Sequence, residues 1–219
     1  MEEVSVRRID QLFFEMKQKY IDEREKLREK LAKEGKKLFF VHELCECSEK
    51  RKMRVRFPEI ERATTYNPRF ALGQLVEEAL KQRFQNGGEN IYMKELTMND
   101  GNYVISGMID IIDPETKTPI EIKYQTSLQK SLHEHHILQM RAYLWLLDKK
   151  HGEIICISPE GLKTYAVSEP LTDEEVKALI KEEKAPRWPE WECQYCPYQQ
   201  FCNKSITKHR GASLIALLK

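Results

Sequence analysis

The chain has 219 residues, 32% of them charged and 41% apolar, with a net charge of +1. That composition is of the soluble globular type, and the length suits one well-packed domain or a domain with an appendage. There is no apolar run of the roughly 18 residues a membrane span needs, and the near-neutral charge restricts any nucleic-acid-binding surface to a local basic patch. The opening Met1-Glu2-Glu3-Val4-Ser5 lacks a signal-peptide pattern, which predicts a cytoplasmic protein. Six cysteines in that compartment are expected as thiols or metal ligands, not disulfides.

Ile9, Leu12, Phe13, Met16 and Tyr20 recur at helical spacing and predict a helix over 5–34 that stops at Gly35. Beyond Tyr20 only Leu27 and Leu31 are apolar, so the second half reads as a solvated arm. Five of the seven residues from Lys50 to Arg56 are basic, directly after Cys45 and Cys47. Such a run is either a solvated face or a phosphate-contacting one. A helix over 69–85 has Leu72, Val76, Ala79 and Leu80 as its apolar stripe and Asn86-Gly87-Gly88 as its stop. Gly73 and Glu77 share one of its faces.

Strands are predicted over 91–98, 102–112 and 118–124. Tyr103–Ile112 carries one charge deep inside, Asp110. In Pro119–Tyr124, Glu121 and Lys123 point to one face while Ile120, Ile122 and Tyr124 point to the other. The six-residue turn Asp113–Thr118 lets the two strands pair and brings Asp110 beside Glu121 and Lys123. Two carboxylates can hold Mg²⁺ or Mn²⁺, the ion activates a water and clamps a phosphate, and the lysine positions that water. Cleavage of a phosphodiester bond is the chemistry such a set performs. The bland alternative is the solvated face of an edge strand.

A helix over 133–148 turns Ile137, Met140, Leu144 and Leu147 inward and sets Gln139 one turn from Tyr143. Its opening, His133-Glu134-His135-His136, reads either as a transition-metal cluster or as polar residues near a phosphate-rich surface. A hairpin follows over 153–158 and 162–168, with Cys156 as a small buried hydrophobe. Thr172-Asp173-Glu174-Glu175 opens another helix in N-cap style. This order of elements argues for a mixed α/β fold.

Past the linker-like Ala185–Pro189, Cys193, Cys196 and Cys202 have the spacing C-x₂-C-x₅-C of a metal site. A fourth thiolate would come from Cys45 or Cys47, and zinc or an iron–sulfur cluster would accept the set. Such a centre ties distant segments together and makes its binding energy part of the folding energy. Trp188, Trp191, Tyr195 and Phe201 either stack on bases or cover the centre. The tail adds basic residues and an apolar helix over 212–218.

Taken in order, these motifs resemble the RecB-like nucleases of the PD-(D/E)xK superfamily, and more closely the CRISPR-associated iron–sulfur exonucleases, the fourth Cas family. The similarity runs from about Val41 to Cys202. It rests on Val41-His42-Glu43-Leu44-Cys45-Glu46-Cys47, Gly73-x₃-Glu77, Gly107-x₂-Asp110, Glu121-Ile122-Lys123, Gln139-x₃-Tyr143 and the cysteine trio. Glu77 stands where the family has a histidine ligand, and a second cysteine accompanies Cys47, the better-aligned of the pair. The resemblance implies a restriction-endonuclease-like α/β core, a mixed central sheet flanked by helices, with an N-terminal helical arm (1–36), a nuclease domain (37–185) and a C-terminal iron–sulfur segment (186–219).

It further implies a Mg²⁺- or Mn²⁺-dependent deoxyribonuclease, an exonuclease acting on single-stranded ends during CRISPR spacer acquisition, alongside the Cas-one integrase. Asp110 and Glu121 would hold the metal with Glu77 and the Ile122 carbonyl. Lys123 would orient the water, and Gln139 and Tyr143 would position the strand. Cys47, Cys193, Cys196 and Cys202 would carry a cluster, of the 4Fe-4S type ahead of 2Fe-2S. Two other readings stay open: a catalytically weak DNA-end-binding module, motivated by Glu77, and a virus- or plasmid-encoded recombination exonuclease of the same fold.

Overall fold

The computed structural model describes residues 3–63, 68–85 and 91–207. The chain divides into two compact units, Met1–Cys45 with Thr65–Lys181, and Glu46–Thr64 with Glu182–Lys219. Among the described residues no helix is long and apolar enough to cross a membrane. The glycine stop at 86–88 and the tail helix over 212–218 lie outside the described residues.

The first unit begins with helix α1 (Glu3–Lys33). It ends where Gly35 adopts φ 73° and its N–H bonds the Ala32 carbonyl, a left-handed stop. Contrary to expectation, the charged second half of α1 is a docked surface. Ile21 and Leu31 are buried, and Leu27 and Leu31 pack with Leu38, Phe40 and Val104. Arg24 and Arg28 both reach the buried Glu43, at 3.2 and 2.9 Å. Met16 and Tyr20, read as apolar stripe, are exposed.

Strand β1 (Lys36–Phe40) leads through the short helix α2 (Val41–Leu44) towards α5 (Pro68–Gln85). Strands β2 (Ile91–Met98) and β3 (Gly101–Met108) complete a sheet of order β1-β3-β2, with β1 parallel and β2 antiparallel to β3. A second sheet has the order β4-β5-β6-β7: β4 (Ile111–Ile112), β5 (Pro119–Tyr124), β6 (His151–Ser158) and β7 (Gly161–Ser168). In it β5 and β6 are parallel and the outer pairs antiparallel. The α/β core with mixed sheet and flanking helices is as expected, its sheet divided into two mixed parts where the predicted strand Tyr103–Ile112 breaks at Ile109–Asp110. There the Asp110 side chain accepts the backbone N–H of Ile122 at 2.8 Å, doing for β5 what a ladder carbonyl would do.

Helix α6 (Glu134–Leu146) packs on β3 from one sheet and β6 from the other. Its Met140, Ala142, Tyr143, Leu144, Trp145 and Leu146 are buried and form the centre of the main core. On α5, Leu72 and Ala79 of the expected stripe are exposed, whereas Ala71 is buried and Leu80 packs near Ile111, Ile120 and Ile122. The face of α5 that meets the second sheet thus includes polar positions. Helix α7 (Asp173–Lys181) opens with the expected capping box: Thr172 N–H to Glu175 at 2.7 Å, and Glu175 N–H back to the Thr172 hydroxyl at 3.2 Å.

Gly107 fixes how closely α6 can approach β3. A Cβ there would lie 2.8 Å from Tyr143 Cε1 and Val41 Cγ2 and 2.9 Å from Leu146 Cδ2. Overpacking of that kind costs about 1–3 kcal/mol. Gly107→Ala is therefore expected to lower stability by about that amount, read as a reduced urea midpoint with an unchanged m-value.

Candidate active site

Four parts of the chain bring the candidate site residues to one cleft of about 530 Å³. The break after β3 supplies Asp110, β5 supplies Glu121 and Lys123, α5 supplies Glu77 and Lys81, and α6 supplies Gln139 and Tyr143. The period-two alternation of β5 sets Glu121 and Lys123 on one face, and Lys123 Nζ lies 2.6 Å from Glu121 Oε1. Gln139 donates to the same oxygen at 3.0 Å and to the Tyr143 hydroxyl at 3.2 Å. Asp110 accepts Ile122 N–H on Oδ2 and pairs through Oδ1 with Lys81 at 2.8 Å. Asp110 and Glu121 are 7% and 4% exposed. Glu121 Oε2 is buried without a hydrogen-bond partner. A buried polar atom left unpaired costs about 1–3 kcal/mol, a cost that a bound cation would remove.

The electrostatics follow from crowding like charges in a dry cleft. Burial first, then Asp110, raises Glu77 to about 7. The same two causes raise Glu121, in the same order. Burial opposes the charge on Lys123, but Glu121, Asp110 and Glu77 outweigh it and raise its pKa. Tyr143 is pushed well above the usual phenol by burial and then Glu121, so it keeps its proton. At the start of α6, the His135 and His136 rings lie 3.9 Å apart, with His133 5.3 and 5.6 Å from them. Burial, then His133 and Lys123, lowers His135 to about 4. Burial and then Lys123 lower His136 further, so both rings are neutral at neutral pH.

The structure brings together Glu77, Asp110, Glu121, Ile122, Lys123, Gln139 and Tyr143. Sequence reading missed Lys81, although its position four residues after Glu77 puts both on one helical face. It also missed Arg24 on the wall that α1 and β1 contribute, where its guanidinium lies 4.4 Å from the Phe40 ring centroid, and the pairing of Arg24 and Arg28 with the buried Glu43 behind it. Those long-range ion pairs leave no periodic signal.

In the second unit, helices α3 (Ser48–Arg56) and α4 (Pro58–Ala63) accompany a 3₁₀ turn (Glu192–Tyr195). Cys47, Cys193, Cys196 and Cys202 line one small cavity with Lys50, Met53 and Tyr198. Cys45 is instead buried in the main core of the first unit. Glu192, 4% exposed, organises the cavity by accepting the backbone N–H groups of Cys47 (2.6 Å), Arg187 (2.9 Å) and Trp188 (3.2 Å). Much of the basic run is engaged within this unit: Lys50 and Arg54 pair with Glu46, Arg54 also with Glu61, and Lys52 with Glu183. Tyr195 and Phe201 are exposed, Trp188 and Trp191 half-buried, and Tyr198 is fully buried.

A sequence model of the PD-(D/E)XK nuclease superfamily matches residues 7–203. The chain is also homologous to the CRISPR-associated exonuclease Cas4 of Saccharolobus solfataricus, 27% identical over 179 residues, covering 77% of this chain and 88% of that one. The crystal structure of SSO0001 superposes with a TM-score of 0.71 at 25% identity, over 78% of this chain and 88% of that chain. Nucleases of the superfamily use divalent metals. The matched stretch contains the whole Asp110–Glu121–Lys123 cleft, and the chain belongs to the PD-(D/E)XK nuclease superfamily.

Proposed function

We propose that the protein is a Mg²⁺- or Mn²⁺-dependent exonuclease that acts on single-stranded DNA ends and processes fragments for CRISPR spacer acquisition, in the cytoplasm and alongside the Cas-one integrase. The observation that carries the nuclease chemistry is the buried Glu121, one oxygen held by Lys123 and Gln139 and the other without a partner, with Asp110 close beside it. The homology to a CRISPR-associated exonuclease supports the biological setting.

Carboxylate oxygens are the donors a hard divalent cation takes, and the orphaned Glu121 Oε2 offers one ready-made. The residues fit such an ion. Glu77, Asp110, Glu121 and the Ile122 carbonyl would hold it. When bound, it polarises the phosphate and acidifies a water. Lys123 orients that water and offsets the negative charge of the transition state. Gln139 holds Glu121 in register, and Tyr143, still protonated, keeps a hydroxyl proton to donate to the strand.

The four cysteines around one cavity support a shared centre, an iron–sulfur cluster of the 4Fe-4S type. Its role is structural. Anaerobically prepared protein is expected to be brown with visible absorption, which Cys196→Ser diminishes together with thermal stability. A colourless, zinc-containing protein would replace the cluster with a Cys₄ zinc site.

Because Glu77 and Glu121 have raised pKa values, both must lose protons before a cation binds. Mn²⁺ affinity is therefore expected to rise with pH, by up to about tenfold per unit for each proton released, up to about pH 7 for Glu77 and about pH 8 for Glu121. Calorimetry at pH 6 and pH 8 checks this, and an affinity flat with pH contradicts it.

A time course on end-labelled single-stranded DNA with Mn²⁺ tests the enzyme reading itself. Wild type should shorten the strand from one end, and Glu121→Ala and Lys123→Ala should each reduce the rate at least about a hundredfold. If wild type binds the strand but cuts no faster than these variants, the protein is a DNA-end-binding module.

A further inference from the structure

Helix α5 brings a second lysine into the cleft. Lys81 lies one turn beyond Glu77, lines the same cavity, and is 26% exposed along its side chain. Its Nζ is 2.8 Å from Asp110 Oδ1, while Asp110 Oδ2 is occupied at 2.8 Å by the Ile122 N–H. Both oxygens of Asp110 are thus engaged before any cation arrives. The two partners differ in how readily they leave. The Ile122 N–H is fixed in the backbone of β5, whereas Lys81 ends a flexible four-carbon stem. A cation that takes Asp110 Oδ1 therefore competes with Lys81 and not with the Ile122 N–H.

The charge count says where the displaced ammonium goes. With all three carboxylates ionised, Glu77, Asp110 and Glu121 carry three negative charges against the two positive charges of Lys81 and Lys123, a net of about −1. A divalent ion changes this to about +1, and one phosphodiester group restores neutrality. Without Lys81 the loaded cleft would already be neutral, and an entering phosphate would leave it with a net charge of about −1.

We propose that Lys81 is a substrate-binding residue that occupies Asp110 in the metal-free protein, yields that oxygen to the divalent ion, and then holds the phosphate of the bound DNA strand. This rests on the nuclease reading of the same cleft. Lys81 consequently has opposite effects on the two ligands: it competes with the cation and favours the strand.

The test compares wild type with Lys81→Met, which keeps the length of the stem without its charge, and Lys81→Arg, which keeps the charge. Three readouts are taken on the full chain: Mn²⁺ affinity without DNA, single-stranded DNA affinity with Ca²⁺ at several salt concentrations, and Mn²⁺-supported cutting. Lys81→Met should bind Mn²⁺ about tenfold more tightly and the strand about tenfold more weakly, with KM for DNA raised. Its salt slope should be shallower by about 0.7, the loss of one phosphate contact on a single strand. Lys81→Arg should retain the wild-type slope.

Weaker Mn²⁺ binding in Lys81→Met, or a salt slope equal to that of wild type, overturns the proposal and leaves Lys81 as a structural partner of Asp110. A destabilised Lys81→Met is recognised from its thermal midpoint, and Lys81→Gln then takes its place in the same three measurements. Failure of the nuclease reading shows separately, as wild-type protein that does not cut. Failure of the Lys81 proposal shows in a wild type that cuts and a Lys81→Met whose slope is unchanged.

Discussion

The hydrogen bond from the Ile122 N–H to Asp110 is the constraint on which the cleft depends. A side-chain oxygen takes a position that a strand carbonyl would otherwise fill. The long strand breaks there, and the chain passes from one sheet to the other. The bond also joins Asp110 to the strand that carries Glu121 and Lys123. Backbone geometry, not side-chain flexibility, thereby sets the spacing of the acidic residues. Gly107, three residues earlier, allows α6 to come close enough for Gln139, which also bonds the Tyr143 hydroxyl, to brace Glu121 from the other side.

The cleft trades stability for chemistry. Carboxylates crowded away from water disfavour their own ionisation, and two lysines offset only part of this. Folding brings these groups together because the surrounding core is strong: α6 alone buries six consecutive or near-consecutive residues across both sheets. A divalent ion bound among these carboxylates would relieve the repulsion that the fold imposes. Lys81 is more than a surface ion pair, since its partner is a buried acid tied to the backbone of β5.

In the second unit one buried carboxylate does comparable work. Glu192 gathers three backbone N–H groups from two distant segments of sequence and thereby shapes the cavity that the cysteines line. The basic run that suggested phosphate contact is largely engaged by Glu46, Glu61 and Glu183 instead. Internal ion pairs remove much of that charge from any external partner.

The elements were legible because their signals are local. Period-two alternation put Glu121 and Lys123 on one face, helical spacing joined Gln139 to Tyr143, and the capping box at Thr172 was read directly. The order of motifs identified the superfamily, and the cysteine spacing identified the candidate centre. Tertiary structure alone decided the rest. Leu72 and Ala79 faced outward, since the inward side of α5 is defined by the polar cleft and not by hydrophobicity. The charged half of α1 docked because Glu43, distant in sequence, recruits Arg24 and Arg28. Cys47 separated from Cys45 because one lines the cysteine cavity and the other fills the core. Lys81 acquired its place from an ion pair across the fold. Periodicity reports which residues share a face, but it does not report what that face meets; that depends on contacts between segments far apart in the chain.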